Sequence, residues 1–386
     1  MKDLVKAAFR LISSLQLTIV GLVLGMALIF FGTLDQVQLG IWAAQVKYFR
    51  SFIVFWSPPG GDWSIPIMPG GYLLGSVLMV NLIAAHFARS RLSWKKLGIS
   101  IIHLGIVILL VSELMSGVFQ RDFDMALDEG QTKNYSEANR ETELVVIDTT
   151  DPDTDRVVSI PEGRLLRGGI IQHPSLPFTV DIRAFYPNAR IFRRGSGTPP
   201  PGPLADKGLG ADLFAMEADR VTKENERDLT TAIVRVGEAD EILGTWMTCN
   251  AFQETQSFEH KGRTYVLKLR QRRFYKPFSI TLLDFAHDRY PGTDIPRNFS
   301  SLIRLVDEEA GEDREVLIRM NHPLRYAGLT FFQASFANDD RTSVLRVVKN
   351  PGRHLPYISC ILVSIGLSVQ FAMHLFTFMR RRALKA

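Results

Sequence analysis

Cysteine is scarce in this sequence of 386 residues. Its two cysteines, Cys249 and Cys360, lie far apart, so the chain contains neither a CxxC pair nor a CxxCH motif. This absence argues against a thiol–disulfide reductase and against a c-type cytochrome. It also excludes a fold that depends on a disulfide framework. Because neither cysteine has a neighbouring partner for thiol exchange, we expect both to be buried thiols.

Sequence signatures of self-sufficient catalysis are also lacking. No nucleophile–base–acid set, phosphate-binding loop or cluster of metal ligands is recognisable, which argues against a hydrolase or a kinase. A net charge of +5 would suit a nucleic-acid partner, but no nucleic-acid-binding motif accompanies it. Many lysines and arginines instead flank long apolar runs, where their simplest role is to orient helices in a membrane.

Four apolar runs are long enough to cross a bilayer, whose core of ~30 Å needs about 20 helical residues. We predict transmembrane helices at residues 15–34, 71–88, 97–118 and 355–379. The first run follows basic residues, as the apolar part of a signal peptide does. No small-residue cleavage site closes it, so we expect a retained helix.

Three basic clusters flank these runs, and an even number of crossings places all three on one side of the membrane. The positive-inside rule makes that side the cytoplasm, so segments 35–70 and 119–353 are expected outside. The clusters are Lys2, Lys6 and Arg10; Arg89, Arg91, Lys95 and Lys96; and Arg380, Arg381, Arg382 and Lys385.

The predicted organisation has five parts. Residues 1–34 are a cytoplasmic stub and the first helix, and 35–70 an outer loop. Residues 71–118 hold the second and third helices with their basic loop, 119–353 the outer domain, and 354–386 the last helix and a basic tail. Within the outer loop, Ile41, Ala44, Tyr48 and Phe52 recur at helical spacing. This spacing predicts an interfacial helix over 36–56.

The outer domain is predicted to be β-rich, as a sandwich or an open barrel. Eight short runs are rich in β-branched and aromatic residues and are separated by Gly, Pro, Asn and Asp. They are residues 143–148, 178–185, 232–236, 264–269, 279–285, 302–306, 316–320 and 330–336. Residues 194–211 contain three consecutive prolines and are predicted to be an exposed loop.

Several motifs in the second half of the chain occur in a specific order. YPGTDIP at 290–296 is followed by NFSS at 298–301, MNHPL at 320–324, YAGLTFFQASF at 326–336 and NPG at 350–352. Earlier motifs are FGT at 31–33, KYF at 47–49 and HLG at 103–105. Together they resemble the ResB family of cytochrome c biogenesis proteins, and the resemblance covers essentially the whole chain.

The resemblance implies a function in a bacterial-type inner (cytoplasmic) membrane. A ResB protein works with a CcsA/ResC-type membrane partner that carries the tryptophan-rich haem-binding segment, which this chain lacks. Together they would carry haem b outward and attach it to the CxxCH motif of apocytochrome c. A thiol-reducing thioredoxin-like protein is a further expected partner. The chain alone is not expected to be catalytic.

Two other functions remain open. The chain could be a structural chaperone that does not bind haem, stabilises the CcsA-type partner and docks apocytochrome. It could also be a transporter-permease subunit, although that predicts a large outer domain between the first two helices. Here the large domain lies between the third and fourth.

Histidine is a common ligand of haem iron, and the two axial ligands must face each other. His86 ends the second run and His103 opens the third, so a short loop makes these helices antiparallel neighbours. His374 enters the same layer from the fourth run. The resemblance makes His103 the membrane haem ligand and assigns the second ligand to the partner chain. From the residues alone, His86 is the alternative second ligand. Each histidine could instead bond a nearby carbonyl group or reach the interface.

His354 is a further candidate, because it lies where haem would emerge at the outer membrane surface. The other histidines outside the membrane are expected to be structural or solvated: His173, His260, His287 and His322. Cations of the basic loop could meet haem propionates or serve orientation alone. A patch at Lys268, Arg270, Arg272, Arg273 and Lys276 could dock an acidic apocytochrome segment or be a charged strand face.

Two polar residues lie within the predicted helices. Glu113, near the outer end of the third helix, could pair with a partner cation, join a proton path or mark the interface. Asn81, in the second helix, is expected to hydrogen-bond a neighbouring helix.

Overall fold

The computed structural model describes residues 2–58, 63–89, 94–195, 202–221, 227–238, 241–293, 296–337 and 341–384. The chain divides into two compact units. The helical unit comprises Met1–Arg121 and Lys349–Ala386, and the β unit comprises Asp122–Val221 and Glu226–Val348.

Helices account for most of the first unit. They are α1 (Lys2–Ile12), α2 (Leu15–Leu39), α3 (Ile41–Ala44), α4 (Gly71–Arg89), α5 (Leu97–Phe119) and, after α6 (Glu162–Leu165) of the β unit, α7 (Leu355–Ala383). Helices α2, α4, α5 and α7 are long and apolar enough to span a membrane. The predicted fold class, four transmembrane helices with a large β-rich domain, is confirmed.

Short contacts show that neighbouring long helices run antiparallel. Thr18 of α2 bonds Asn81 of α4, and Gly117 of α5 packs on Tyr72 of α4. The N-termini of α2 and α5 and the C-termini of α4 and α7 therefore share one end of the helical unit, which we call the basic end.

Small residues set the packing of α5 against α7. A Cβ atom on Gly105 would lie 2.7 Å from Cγ2 of Val363, and one on Gly366 would lie 2.7 Å from Cγ1 of Ile102. The Ser359 hydroxyl donates a hydrogen bond of 2.7 Å to the Gly105 carbonyl. Such close backbone approach is typical of membrane helix pairs, and it fixes the rotation of α5 about its axis.

The segment before α2 was predicted to be a stub, and it is the amphipathic helix α1. Its last turn leads to Ser14, whose hydroxyl accepts a hydrogen bond of 3.2 Å from the Leu17 amide and so caps α2. Asn81 joins this corner to α4, because its amide nitrogen donates to the carbonyl groups of Ile12 and Ser14 at 2.6 and 3.0 Å. The expected helix–helix hydrogen bond of Asn81 is thus present.

The interfacial helix predicted over 36–56 is wrong in extent. Helix α2 continues to Leu39 and ends at Gly40, where φ is 79°. Helix α3 and a π-helical turn at Gln45–Phe49 follow. The chain then forms strand β1 (Ile53–Trp56), paired antiparallel with β2 (Ile65–Pro69). In the strand pair the backbone N–H and C=O groups of the two strands bond to each other. Residues of β1 therefore do not need to continue a helix to satisfy their backbone groups.

The second unit is built from strands. They are β3 (Arg121–Asp128), β4 (Thr132–Asp148), β5 (Arg156–Pro161), β6 (Gly169–Ile171), β7 (Thr179–Tyr186), β8 (Ala189–Arg193), β9 (Leu213–Glu217), β10 (Thr231–Glu238), β11 (Glu241–Cys249), β12 (Gln256–His260), β13 (Arg263–Arg289), β14 (Pro296–Asp307), β15 (Glu312–Arg319), β16 (Leu324–Tyr326), β17 (Leu329–Ala337) and β18 (Thr342–Lys349). Each of the eight predicted runs lies within a strand, except for one terminal residue at Phe178 and at Met320. Most of the strands are longer than predicted, and the runs 264–269 and 279–285 belong to the single strand β13.

Both predicted β architectures occur in this unit. A ten-stranded sheet runs β15-β14-β13-β4-β3-β18-β17-β16, with β12 on β13 and β5 on β4. Its two ends approach each other as a nearly closed barrel around Leu127, Ile280 and Phe331. The four-stranded sheet β11-β10-β7-β6 packs on the other half, around Val146 and Leu267. The long strands β4 and β13 contribute to both cores.

The prediction of an exposed loop at 194–211 is wrong at two positions in its second half. Residues 196–201 lie outside the described residues. Ala205 and Gly210 are buried, and a Cβ atom on Gly210 would lie 2.4 Å from Cβ of Met247. These two residues anchor the segment to a small apolar core, while most of its other described residues stay exposed or half-buried.

Candidate histidine site in the membrane helices

The structure brings His86 of α4 and His103 of α5 into contact near the basic end. Their ring centroids lie 5.8 Å apart, and the ring planes meet at 76°. Both side chains are half-buried. The Nδ1 atoms of both rings are buried, and neither has a hydrogen-bond partner in the part of the chain that the structure describes.

Local structure explains why these two rings meet. His86 lies one turn before the end of α4, and His103 lies six residues into α5, a depth of about 9 Å at 1.5 Å per residue. The antiparallel helices place both positions at a similar depth. The tight contact of α5 with α7 at Gly105 then fixes the direction in which the His103 side chain extends.

A buried nitrogen atom without a hydrogen bond carries a desolvation penalty of about 1–3 kcal/mol, which a ligand between the two neighbouring rings would relieve. Two metal–imidazole bonds of about 2 Å each place the bonded nitrogen atoms about 4 Å apart. The two ring centroids are 5.8 Å apart, a separation of the same order.

The donor set fits a haem iron better than a bare metal ion. Among the described residues, no group of three or more His, Cys, Asp or Glu side chains is placed to hold a metal ion. A protein site for a bare ion such as zinc needs at least three such ligands. Haem iron needs only one or two from the protein, because the porphyrin supplies the other four.

The other two candidate histidines lie apart from this pair. The exposed His374 ring of α7 has its Nε2 atom 2.8 Å from the amide nitrogen of Gln370, one turn earlier. The exposed His354 ring accepts a hydrogen bond of 3.0 Å from Nε of Arg353, just before α7. Neither makes a hydrogen bond or ring contact with His86 or His103 among the described residues.

The cations of the basic loop are only partly described. Arg91 lies outside the described residues, and so do the side chains of Arg89 and Lys95. Lys96 is exposed at the start of α5. The prediction that these cations meet haem propionates therefore stays a prediction.

The remaining histidines have structural surroundings in the β unit. The buried His260 ring lies 3.0 Å from a Glu238 oxygen. The His287 ring packs against Phe299 and Phe336, with centroids 4.6 and 4.5 Å away, and the two phenylalanine rings also contact each other. His322 is exposed and follows Asn321, whose φ of 63° marks a tight turn. At His173, Nδ1 accepts a hydrogen bond of 3.2 Å from the backbone amide of Ser175.

The predicted basic patch on β13 is largely neutralised by β4. Three of its arginines pair with acidic residues about 130 positions earlier, which sequence spacing could not reveal. The pairs are Arg270–Glu143 at 2.8 Å, Arg272–Glu141 at 3.0 Å and Arg273–Glu137 at 3.0 Å. The Lys276 ammonium donates to the Ser136 hydroxyl at 2.6 Å, and burial lowers its pKa to about 8. This pattern supports a charged strand face over a docking surface.

The two cysteines differ from each other. Cys249 is buried in β11, as expected, whereas Cys360 is exposed. The prediction for Cys360 is wrong because its position on α7 faces away from the packed helices. An exposed side chain of low polarity is ordinary on a helix whose surroundings are lipid.

Comparison with known proteins identifies the C-terminal part of the β unit. Residues 247–344, from the end of β11 into β18, match the ResB-like family. Protein NrfI of Wolinella succinogenes is 36% identical over 91 residues, which are 24% of this chain and 10% of that protein. The cytochrome c biogenesis protein CcsB of a Picosynechococcus strain is 40% identical over 62 residues, 16% of this chain and 13% of that protein.

The chain thus spans only a small part of the length of either relative, and His86 and His103 lie outside the matched residues 247–344. The matched residues do include the motifs from YPGTDIP to YAGLTFFQASF. The resemblance is confirmed on a segment that carries four of its eight motifs, and this segment of the chain is similar to the ResB-like family.

Proposed function

We propose that this chain serves cytochrome c maturation, as the subunit of a membrane complex that carries haem outward and supports its covalent attachment to apocytochrome c. The ResB-like segment, the similarity to the cytochrome c biogenesis protein CcsB and the four apolar helices support the general role. The contact between His86 and His103 is the observation that carries the haem-binding part of the proposal.

In this proposal the two imidazoles hold the cargo from opposite sides. A neutral imidazole donates a lone pair to iron, and the surrounding helices keep water away from the bond. Both helices end close to these residues, so the cargo would enter at the basic end. Coordination bonds to imidazole are reversible, which suits a protein that passes its ligand on.

The family resemblance offers a different second ligand, supplied by a CcsA/ResC-type partner. In that arrangement His103 binds iron from this chain and His86 lies beside it. The two arrangements differ in one observable respect. The His86–His103 pair binds haem in the chain alone, whereas the shared site needs the partner.

The chemistry of attachment is assigned to the complex and not to this chain. Thioether formation needs the haem vinyl groups and two thiols held in near-attack positions. This chain has no CxxC to keep the thiols of apocytochrome reduced, and Cys249 is buried. A thioredoxin-like protein would supply reduced thiols, and the partner would present haem.

Haem content of the purified chain, with and without its partner, tests the proposal. We expect His103→Gly to lower haem content strongly, with partial recovery in added imidazole. His86→Gly should have the same effect if both ligands come from this chain and little effect if the partner supplies one. His374→Gly is the matched control, and it should retain haem. Full haem content in both the His86 and the His103 variants would overturn the proposal and favour a chaperone that does not bind haem.

A further inference from the structure

The end of the helical unit opposite the basic end contains a cavity. It has a volume of about 510 Å³ and lies between α2, the turn that follows α3, the start of α4 and the last turns of α5. Small-molecule sites in proteins commonly have volumes of about 300–1,000 Å³. The cavity lies entirely within the helical unit. On α4 and α5 its lining residues are at the opposite end of the helices from His86 and His103.

Glycines line this cavity. A Cβ atom on Gly32 would lie 3.2 Å from the Phe49 ring, and one on Gly117 would lie 3.1 Å from the Tyr72 hydroxyl. These contacts show that the surrounding wall is already closely packed. At Gly75, by contrast, a Cβ atom would meet nothing within 4 Å. The empty space therefore begins at the surface of α4 at Gly75.

Two opposite charges line the same cavity, Arg50 and Glu113. Neither side chain makes an ion pair or a hydrogen bond within the described residues, with each other or with any third group. Glu113 is the one charged residue of α5. A charge on a membrane-spanning helix is costly and normally has a partner or a function.

The chemistry of the lining limits which kinds of ligand fit the cavity. The apolar wall, which includes Met79, Leu110 and Leu114, suits hydrocarbon. Arg50 offers a planar fork of N–H donors for phosphate oxygens, and Glu113 offers a carboxylate for an ammonium group. A ligand with both charges and an apolar chain satisfies every one of these groups. An anionic lipid, or the two propionates of haem, would satisfy Arg50 and be repelled by Glu113.

We propose that this cavity binds a zwitterionic aminophospholipid of the phosphatidylethanolamine type, with its phosphate at Arg50 and its ammonium group at Glu113. Primary ammonium is required, because a quaternary choline has no N–H to donate to the carboxylate. The bound lipid braces α2, α4 and α5 against one another. It does so from the opposite end of the helices that carry the histidine pair, so the inference goes beyond the proposed function and does not depend on it.

Lipid retention by the full-length protein tests this site. The protein is reconstituted in bilayers of equal parts phosphatidylethanolamine, phosphatidylcholine and phosphatidylglycerol, re-extracted mildly, and its retained lipid is quantified by mass spectrometry. We expect the wild type to retain phosphatidylethanolamine in excess of the bilayer ratio. Glu113→Gln, which keeps the side-chain shape, should abolish the preference over phosphatidylcholine. Arg50→Gln should lower retention of all three lipids.

A filling variant and its matched control complete the test. Gly75→Phe projects into the empty space and should abolish the enrichment, whereas Val80→Phe, on the same helix but half-exposed and outside the cavity lining, should leave it unchanged. Retained lipid that mirrors the bilayer in the wild type, or enrichment that survives Gly75→Phe or Glu113→Gln, overturns the inference, as does selection of phosphatidylglycerol. Haem content measured on the same samples tests the histidine site separately, so the failure of one is distinguishable from the failure of the other.

Discussion

The rings of His86 and His103 meet edge to face at 5.8 Å between centroids, on two helices joined by a basic loop. Each ring has a buried Nδ1 atom with no hydrogen bond in the described part of the chain. Their contact turns two ordinary membrane histidines into one candidate site.

Adding a methyl group at Gly105 is expected to destabilise the helical unit. Its Cβ atom would lie 2.7 Å from Val363 and 3.1 Å from the Ser359 carbonyl oxygen, so α5 and α7 must separate. Overpacking of this kind costs about 1–3 kcal/mol. Thermal unfolding in detergent should show a lower midpoint for Gly105→Ala. Gly25→Ala is the control, because its Cβ atom would meet only Leu74 at 3.6 Å. Equal midpoints for the two variants would contradict the packing account.

Breaking the ion pair between Arg270 and Glu143 should destabilise the β unit. Both side chains are largely buried, with 11% and 5% of their surface exposed. Arg270→Met would leave the buried Glu143 carboxylate without its cation, although the Ser159 hydroxyl still donates to it, at a cost of about 3–5 kcal/mol. The double variant Arg270→Met/Glu143→Met should recover most of that loss. Urea unfolding followed by circular dichroism measures both.

The surface pair Arg304–Asp313 is the comparison for this experiment. Its side chains are about half exposed, so Arg304→Met should change the free energy of unfolding far less than Arg270→Met does. A similar loss for Arg270→Met and Arg304→Met would show that burial does not distinguish the two pairs.

Deprotonation of the buried Lys276 ammonium group should make the β unit more stable as pH rises above neutrality. Burial lowers the pKa of this ammonium group to about 8, whereas an unfolded lysine titrates near 10.4. Below pH 8 both states are protonated, and the penalty of burial is fully present. Between the two pKa values the unfolded state binds more protons, so stability increases with pH.

Urea midpoints at pH 7.0, 8.0, 9.0 and 9.5 measure this effect. The range stops there because the hydrogen bond to Asp307 raises the pKa of Tyr326 to about 12, and this shift lowers stability as pH rises above about 10. Lys276→Met should flatten the rise relative to wild type. A wild-type midpoint that does not rise between pH 8.0 and 9.5 relative to Lys276→Met would contradict the assignment.

Orientation in the membrane follows from the basic clusters and is open to direct measurement. Reporter fusions at residue 386 and within residues 196–201 should report opposite sides, the first cytoplasmic and the second outside. Reporters on the same side would contradict a chain with four crossings. Opposite sides with the order reversed would contradict the positive-inside assignment alone.

Features determined by local sequence were predicted well. Hydropathy located the four long helices because a spanning helix needs little from its neighbours, and alternation located the strands. The sequence before α2 has an amphipathic pattern, with Leu4, Val5 and Phe9 on a different face of the helix from Lys6 and Arg10. This pattern was overlooked, and only a cytoplasmic stub was predicted there. The helix predicted over segment 36–56 was wrong for two reasons. Gly40 ends one helix, and Ile53–Trp56 pairs with the later strand Ile65–Pro69.

Features determined by contacts between distant segments were mostly not predictable from the sequence. The meeting of His86 with His103 was accessible because a short loop joins their helices. His374 was expected in the same layer, but helical position alone does not give the direction of a side chain. The partners of Arg270 and the cavity at Gly75 each depend on segments far apart in the chain, so neither could be read from spacing.

The axial ligation of bound haem tests the central claim most directly. Absorption and electron paramagnetic resonance spectra of the ferric, haem-loaded protein with its CcsA/ResC-type partner report the ligands of the iron. The account predicts a low-spin spectrum with two imidazole ligands, which His103→Gly converts to high-spin or haem-free protein and added imidazole partly restores. An unchanged low-spin spectrum in both His103→Gly and His86→Gly would show that neither histidine binds haem.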